Sequence, residues 1–247
     1  MARRPRVVVP GLPHHVTQRG NRRQPIFFED GDQRVYKFML AEHCRRWGVE
    51  IWAYCLMPNH VHLIMTPGDE TGLAKVMGET HRRYTSFINS RHGWVGHLFQ
   101  GRYASVVMDE RHLLAAARYV GLNPVRAKLV DRAEAWPWSS VRAHIAGEDD
   151  GLVRVRPMLQ RIERFAEFMH PEPAGETAWE EAYRALRASE TTGRPCGAET
   201  FVRRLEAELG RALLPERRGR PKNRGQVIRS PVATSDEHWG ADNLSPI

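Results

Sequence analysis

An α+β fold of the ferredoxin-like type, an antiparallel sheet with helices on one face, is predicted by three observations. Strand-like and helix-like segments alternate in the order βαββαβ between residues 13 and 108, with one more helix following. Two of the strand segments are separated only by Pro58-Asn59, which suits a β-hairpin and therefore antiparallel pairing. The helical segments carry a single apolar face, as helices laid on a sheet do.

Each element has its own signals. Residues 7–9 (VVV) and 13–19 (PHHVTQR) read as an opening strand interrupted by the turn pair Pro10-Gly11, and 20–25 (GNRRQP) as a basic loop. Helical spacing of Val35, Phe38, Met39, Ala41 and Trp47 marks a helix over 31–47, stopped by Gly48. Strands at 49–57 (VEIWAYCLM) and 60–66 (HVHLIMT) form the hairpin. Leu73, Val76, Met77, Tyr84 and Phe87 give a helix over 71–91, closed by Gly93. Residues 102–108 (RYASVVM) suit a fourth strand, and Asp109 caps a helix that runs to Leu122 and ends at Pro124.

Beyond the sandwich, Trp136-Pro137-Trp138 reads as a packed aromatic turn whose indoles anchor the core, followed by a short helix over 139–146. Residues 171–195, rich in Pro, Glu, Ala and Thr, read as a flexible connection carrying a helix at 176–189, and a further helix is expected at 197–213. The division expected is a domain over 1–165, a helical extension over 166–214, and a basic disordered tail over 215–247.

The formal charge of +8 and pI near 9.8 point to a polyanionic partner. Residues 1–23 hold six arginines and no acid, and residues 217–229 hold six basic side chains and no acid. Cys44, Cys55 and Cys196 are too few and too scattered for a disulfide framework or a cysteine zinc site. No apolar run reaches membrane-spanning length and no signal-peptide pattern opens the chain, so the expectation is a cytoplasmic protein with no membrane partner.

The chemistry begins with His60 and His62. On a strand, positions i and i+2 face one side, so two imidazoles project together while Val61 points into the opposite layer. Such a pair is either two partly exposed strand histidines or a pair of ligands for a divalent cation. His14 and His15 alternate faces on the first strand. One can approach that pair and the other the core, or both can make ordinary hydrogen bonds.

On the helix after Asp109, His112, Ala116, Tyr119 and Asn123 fall on one face, and Tyr119 is the only large nucleophile there. Asn123, one turn on, can complete a metal shell through its amide oxygen. A phenol is a weak nucleophile at neutral pH and needs the cation or a basic neighbour, for which Arg118, Arg102 and His112 are candidates. The set describes attack by Tyr119 on a phosphodiester, with a cation offsetting the charge on the phosphate. Arg19, Arg22 and Arg23 extend from the first strand, where they can hold a phosphate backbone.

The segments GLPHHVTQRGNRRQPIF, WAYCLMPNHVHLIM, FQGRYASVVMD, RYVGLNPVRAKLV and WPWSSVRAH resemble the single-tyrosine HUH (His, hydrophobic, His) transposases of the IS200/IS605 type, and most closely their REP-associated relatives. The resemblance covers about residues 8–165. It implies an HUH endonuclease fold, Mg²⁺ or Mn²⁺ held by His60, His62 and Asn123, and Tyr119 as nucleophile. It also implies a substrate of single-stranded DNA folded into hairpins and a covalent phosphotyrosine. DNA contacts are expected from Arg19, Arg22, Arg23, Arg102 and Arg118. Arg-Gly-Arg-Pro-Lys at 218–222 resembles an AT-hook core, adding Arg218, Arg220 and Lys222. Monomer and homodimer are both compatible, and the setting implied is the bacterial nucleoid.

Two other readings compete. A regulator of the same fold would bind hairpin DNA without cutting it, although His60, His62 and Tyr119 are all in place. An RNA-binding module is favoured by the kinship of ferredoxin-like and RRM-like sheets, but no Lys/Arg-Gly-Phe-Gly-Phe-Val run is present.

Overall fold

Pro58-Asn59 closes a two-residue hairpin in which Met57 pairs with His60, and from this junction the whole sheet can be traced. The structure is a computed structural model that describes residues 5–170 and 177–214. Its sheet contains β1 (His14–Arg19), β2 (Val49–Met57), β3 (His60–Pro67) and β4 (Ala104–Val107), in the antiparallel order β2-β3-β1-β4. Helices α1 (Asp32–Arg46) and α2 (Gly72–His92) connect the strands in the expected βαββαβ order, and α3 (Glu110–Gly121) follows β4. This is the α+β, ferredoxin-like arrangement.

Alternation along the strands builds two layers. Val16, Tyr54, Leu56, Val61, Leu63 and Met65 face α1 and α2, burying Tyr36, Leu40, Leu73, Met77 and Tyr84 completely or nearly so. The two connecting helices therefore share one face. Cys55, Met57, Ile64 and Val106 face the other way, where α3 brings Leu113, Ala116, Ala117 and Val120. A bulge between Ile51 and Ala53 shifts the register, so Trp52 and Ala53 both join this second layer. Each large aliphatic side chain buried in these layers contributes about 1.5–3 kcal/mol.

Asp109 caps α3 as expected, its carboxylate accepting the His112 amide. Short helices α4 (Asn123–Arg126), α5 (Val141–Ala146), α6 (Arg156–Leu159) and α7 (Phe165–Phe168) wrap the second layer. Trp136 is half-buried there and donates its indole N–H to the Leu56 carbonyl, while the Trp138 carbonyl accepts the Leu56 amide. Both indoles are packing anchors.

Three details differ from expectation. Residues 7–9 lie outside β1, because Pro10 lacks an N–H and Gly11 turns the chain with φ of +75°. Val7 and Val9 are still buried, against Val202, Leu205 and Leu213. The fourth strand is shorter than 102–108. And residues 166–170 and 177–214 belong to the same compact unit as the sheet, a unit that ends at Leu214. Helix α8 (Thr177–Thr192) packs on α3 and β4, and α9 (Glu199–Leu209) buries Val202 and Leu205. Between them, Cys196 bridges to Met108, donating its amide to Val107 and accepting from Asp109. The tail 215–247, with Arg218, Arg220 and Lys222, lies outside the described residues.

Candidate active site

β3 and β1 are central neighbours in the sheet, so the histidine pair is placed by the most constrained part of the fold. His60 pairs with Arg19 across the two strands, and His62 with Thr17. The loop after β1 is pinned beside them. Gly20 donates to the Asn59 carbonyl, Ile26 to that of Pro58, and the Asn59 amide donates to the Arg23 carbonyl. A Cβ on Gly20 would come within 2.2 Å of the Gln24 carbonyl oxygen, so this turn requires glycine.

The two imidazoles meet edge to face, with centroids 4.8 Å apart. His60 Nδ1 donates to Asn59 Oδ1 at 2.6 Å. His62 Nδ1 lies 3.1 Å from Nε2 of His15, whose ring is parallel to within 3°. Among the described residues neither Nε2 of the pair meets a hydrogen-bonding partner. Burial, reinforced by Arg19, pushes His60 down to about 4. His62 is lowered well below the ordinary value by burial and then by the surrounding His15, His60, Arg19 and Arg126. Both are therefore uncharged at neutral pH, the state in which imidazole binds a metal.

His15 is fully buried and lowered to about 3 by that burial. Its Nδ1 lies 3.3 Å from Oε1 of Glu190, on α8, yet neither atom has an aligned hydrogen-bond partner. Burial raises Glu190 to about 7 against the pull of Arg19 and Arg187. One ligand atom from each of His15, His62 and Glu190 falls within 4.8 Å of the others. The uncharged imidazoles of His60 and His62, each with Nε2 left without a partner among the described residues, suit a divalent cation. His14, by contrast, makes ordinary hydrogen bonds, accepting from the Val9 amide and donating to the Leu12 carbonyl.

Tyr119 reaches the pair from α3. Its ring stands edge-on to His62 at 5.5 Å and to His15 at 6.3 Å, and it tilts against Tyr183 of α8 at 5.4 Å. The Arg126 guanidinium sits over the same ring, 4.8 Å from its centroid. Arg126 is thus the cation beside the phenol. Of the three expected in that role, Arg118 is buried, with its guanidinium donating to the carbonyls of Phe168 and His170. Its expected DNA contact is corrected on the same ground, since those bonds turn it into the protein. His112 is held by Asp109 through a 2.6 Å contact.

Asn123 is half-buried and opens α4, separated from Tyr119's helix by Leu122, and its side chain makes no hydrogen bond among the described residues. Arg19 and Arg102 are exposed and line an open groove of about 380 Å³ with His60, His62, Gln100 and Glu190. Arg22 and Arg23 are exposed on the adjoining loop, with φ of 53° and 62°. The site thus gathers a tyrosine, two neutral imidazoles and a basic rim. His15 had an ambiguous signal in the His-His alternation; Arg126, Tyr183 and Glu190 had none, because long-range docking places them.

The family model described as IS200-like transposase matches residues 8–123. A Haemophilus influenzae protein named as a candidate REP-associated tyrosine transposase is 27% identical over 131 residues, covering 47% of this chain and 74% of that protein. A solved REP-associated tyrosine transposase bound to a REP hairpin is similar with a TM-score of 0.49 and 20% identity, over 72% of this chain and 98% of that one. A solved candidate transposase of Deinococcus radiodurans has a TM-score of 0.34 and 21% identity, over 52% and 92%. Residues 8–123 thus match the IS200-like transposase family, and the chain is similar to REP-associated tyrosine transposases.

Proposed function

We propose that the chain is a metal-dependent endonuclease and strand transferase that acts on single-stranded DNA hairpins through a covalent 5′-phosphotyrosine. The observation that supports this reading best is the edge-on approach of Tyr119 to His62, which joins a phenol nucleophile to a neutral imidazole pair.

In this reading Tyr119 Oη bonds to the scissile phosphorus as the bond from phosphorus to the 3′-oxygen breaks. The phenol gives up its proton, and the departing oxygen takes one to become a 3′-hydroxyl. A second 3′-hydroxyl reverses the step and releases Tyr119, so bond energy is conserved without a nucleotide cofactor. His60 and His62, with the Asn123 amide as a third donor, hold Mg²⁺ or Mn²⁺. The ion's contribution is to offset charge developing on the phosphate oxygens. Arg19, Arg22, Arg23 and Arg102 hold the backbone along the groove.

Among the described residues no helix is long and apolar enough to cross a membrane. In this reading the enzyme acts at the bacterial nucleoid, as a monomer or homodimer. The experiment is to compare wild type with His60→Ala and His62→Ala on a single-stranded hairpin oligonucleotide. Cleavage should be lost while hairpin affinity stays within a few-fold. Equal loss of both would make the pair structural.

A further inference from the structure

Two buried polar atoms in the site face each other unpaired. His15 Nδ1 and Glu190 Oε1 are 3.3 Å apart and lack aligned partners, although buried donors and acceptors are nearly always paired. On its other edge, the same His15 ring touches His62 Nδ1 through Nε2 at 3.1 Å. Carboxylate, imidazole and imidazole are therefore in series.

The protons decide what this series does. Two ring nitrogens at 3.1 Å can bond only if one carries the proton. With His62 Nδ1 as donor, His15 Nε2 accepts, and a neutral His15 then carries its own proton on Nδ1, toward Glu190. His62 keeps its lone pair on Nε2. On the neighbouring ring, His60 Nδ1 already donates to Asn59, which leaves the lone pair of His60 on Nε2 as well. Both imidazoles are then set in the same tautomer by a partner on Nδ1. Direct binding of one ion by His15, His62 and Glu190 together would instead break the His15–His62 hydrogen bond.

We propose that His15 and Glu190 are positioning residues that fix His62 in its Nδ1–H tautomer and aim its Nε2 for cation binding. Ligating histidines commonly donate their second nitrogen to such a chain. Glu190 comes from α8, outside residues 8–123, so the C-terminal helices are part of the site's machinery and not an appendage to it. This inference rests on the metal-holding role of His60 and His62 proposed above.

The test uses full-length wild type, Glu190→Ala and Glu190→Gln, with two readouts. Nitrogen-15 NMR of the imidazoles in metal-free protein at neutral pH reports the tautomers, and electron paramagnetic resonance of free Mn²⁺ reports affinity. The expected results are an Nδ1–H tautomer for His62 in wild type and a loss of roughly 10- to 100-fold in Mn²⁺ affinity for Glu190→Ala. Glu190→Gln, which keeps an acceptor oxygen, should recover most of that loss. A proton on His62 Nε2 in wild type, or unchanged Mn²⁺ affinity in Glu190→Ala, would overturn the proposal. Binding abolished equally in both variants would make Glu190 a ligand and overturn it too. Wild type with no Mn²⁺ affinity would sink the metal reading itself, while the tautomer measurement would still decide the chain of hydrogen bonds.

Discussion

The ring of Tyr119 stands edge-on to the imidazole of His62, with centroids 5.5 Å apart and planes at 84°. One residue comes from the middle strands of the sheet and the other from a helix that starts after the last strand. Their meeting depends on α3 crossing the face opposite to α1 and α2. Leu113, Ala116, Ala117 and Val120 hold it there. The small alanines let the helix lie close enough for the phenol to reach the histidine.

Arg118, the neighbour of Tyr119, fixes that helix by the reverse of what its charge suggests. Its guanidinium is buried and donates to the carbonyls of Phe168 and His170. Arg118→Ala should lose about 2–3 kcal/mol of stability, a fall in unfolding midpoint on the order of 4–12 °C for a domain of this size. The salt dependence of DNA binding should be unchanged. A variant with wild-type stability and a shallower salt slope would return Arg118 to the DNA surface.

How much of this was legible in the sequence varies with the range of the contacts. The βαββαβ order, the hairpin at Pro58-Asn59, the cap at Asp109 and the shared face of His60 and His62 all follow from local periodicity and turn chemistry. Tyr119 could be placed on a helix face from spacing alone. Arg118 could not be read, because burial of an arginine depends on carbonyls some fifty residues away. Glu190 lay in a stretch whose composition suggested a flexible connection, and nothing local reveals that α8 docks on α3 and β4. Helical spacing sets Asn123 on the face of Tyr119, one turn on, whereas α3 ends at Gly121 and Asn123 opens the next turn, ahead of Pro124.

The N-terminus of α3 should give the fold a pH signature. The hydrogen bond to Asp109, and then one to Cys196, raise His112 to about 9. A folded value above the unfolded one, near 6.5, means stability fully present below pH 6.5 and lost as pH rises through about 9. Burial resists ionisation of Asp109, but hydrogen bonds from His112 and from the amides of His112 and Ala198 outweigh it and lower its value. The Asp109 share is present above pH ~4 and lost on further acidification. The pair therefore stabilises most between about pH 4 and 6.5. Between pH 6 and pH 10, wild type should lose on the order of 2–3 kcal/mol more than His112→Gln. Parallel pH profiles of the unfolding midpoint would contradict the pairing.

The basic segment 217–229 lies beyond the compact unit that ends at Leu214. If Arg218, Arg220 and Lys222 contact phosphates, removing 215–247 should weaken DNA binding and reduce its logarithmic salt slope by about 2–3. The rate of cleavage at saturating DNA should be unaffected. Unchanged affinity would reject the AT-hook-like role.

In the proposed reaction Tyr119 becomes covalently joined to DNA. Wild type and Tyr119→Phe would be incubated with Mg²⁺ and end-labelled single-stranded hairpin oligonucleotides taken from the flanks of the gene. A denaturing gel would then be read for a protein–DNA adduct. The expected result is an adduct and a free 3′-hydroxyl fragment in wild type, and neither in Tyr119→Phe. Cleavage that survives in Tyr119→Phe would point to a water-using nuclease, and tight hairpin binding without any adduct in wild type would point to a regulator.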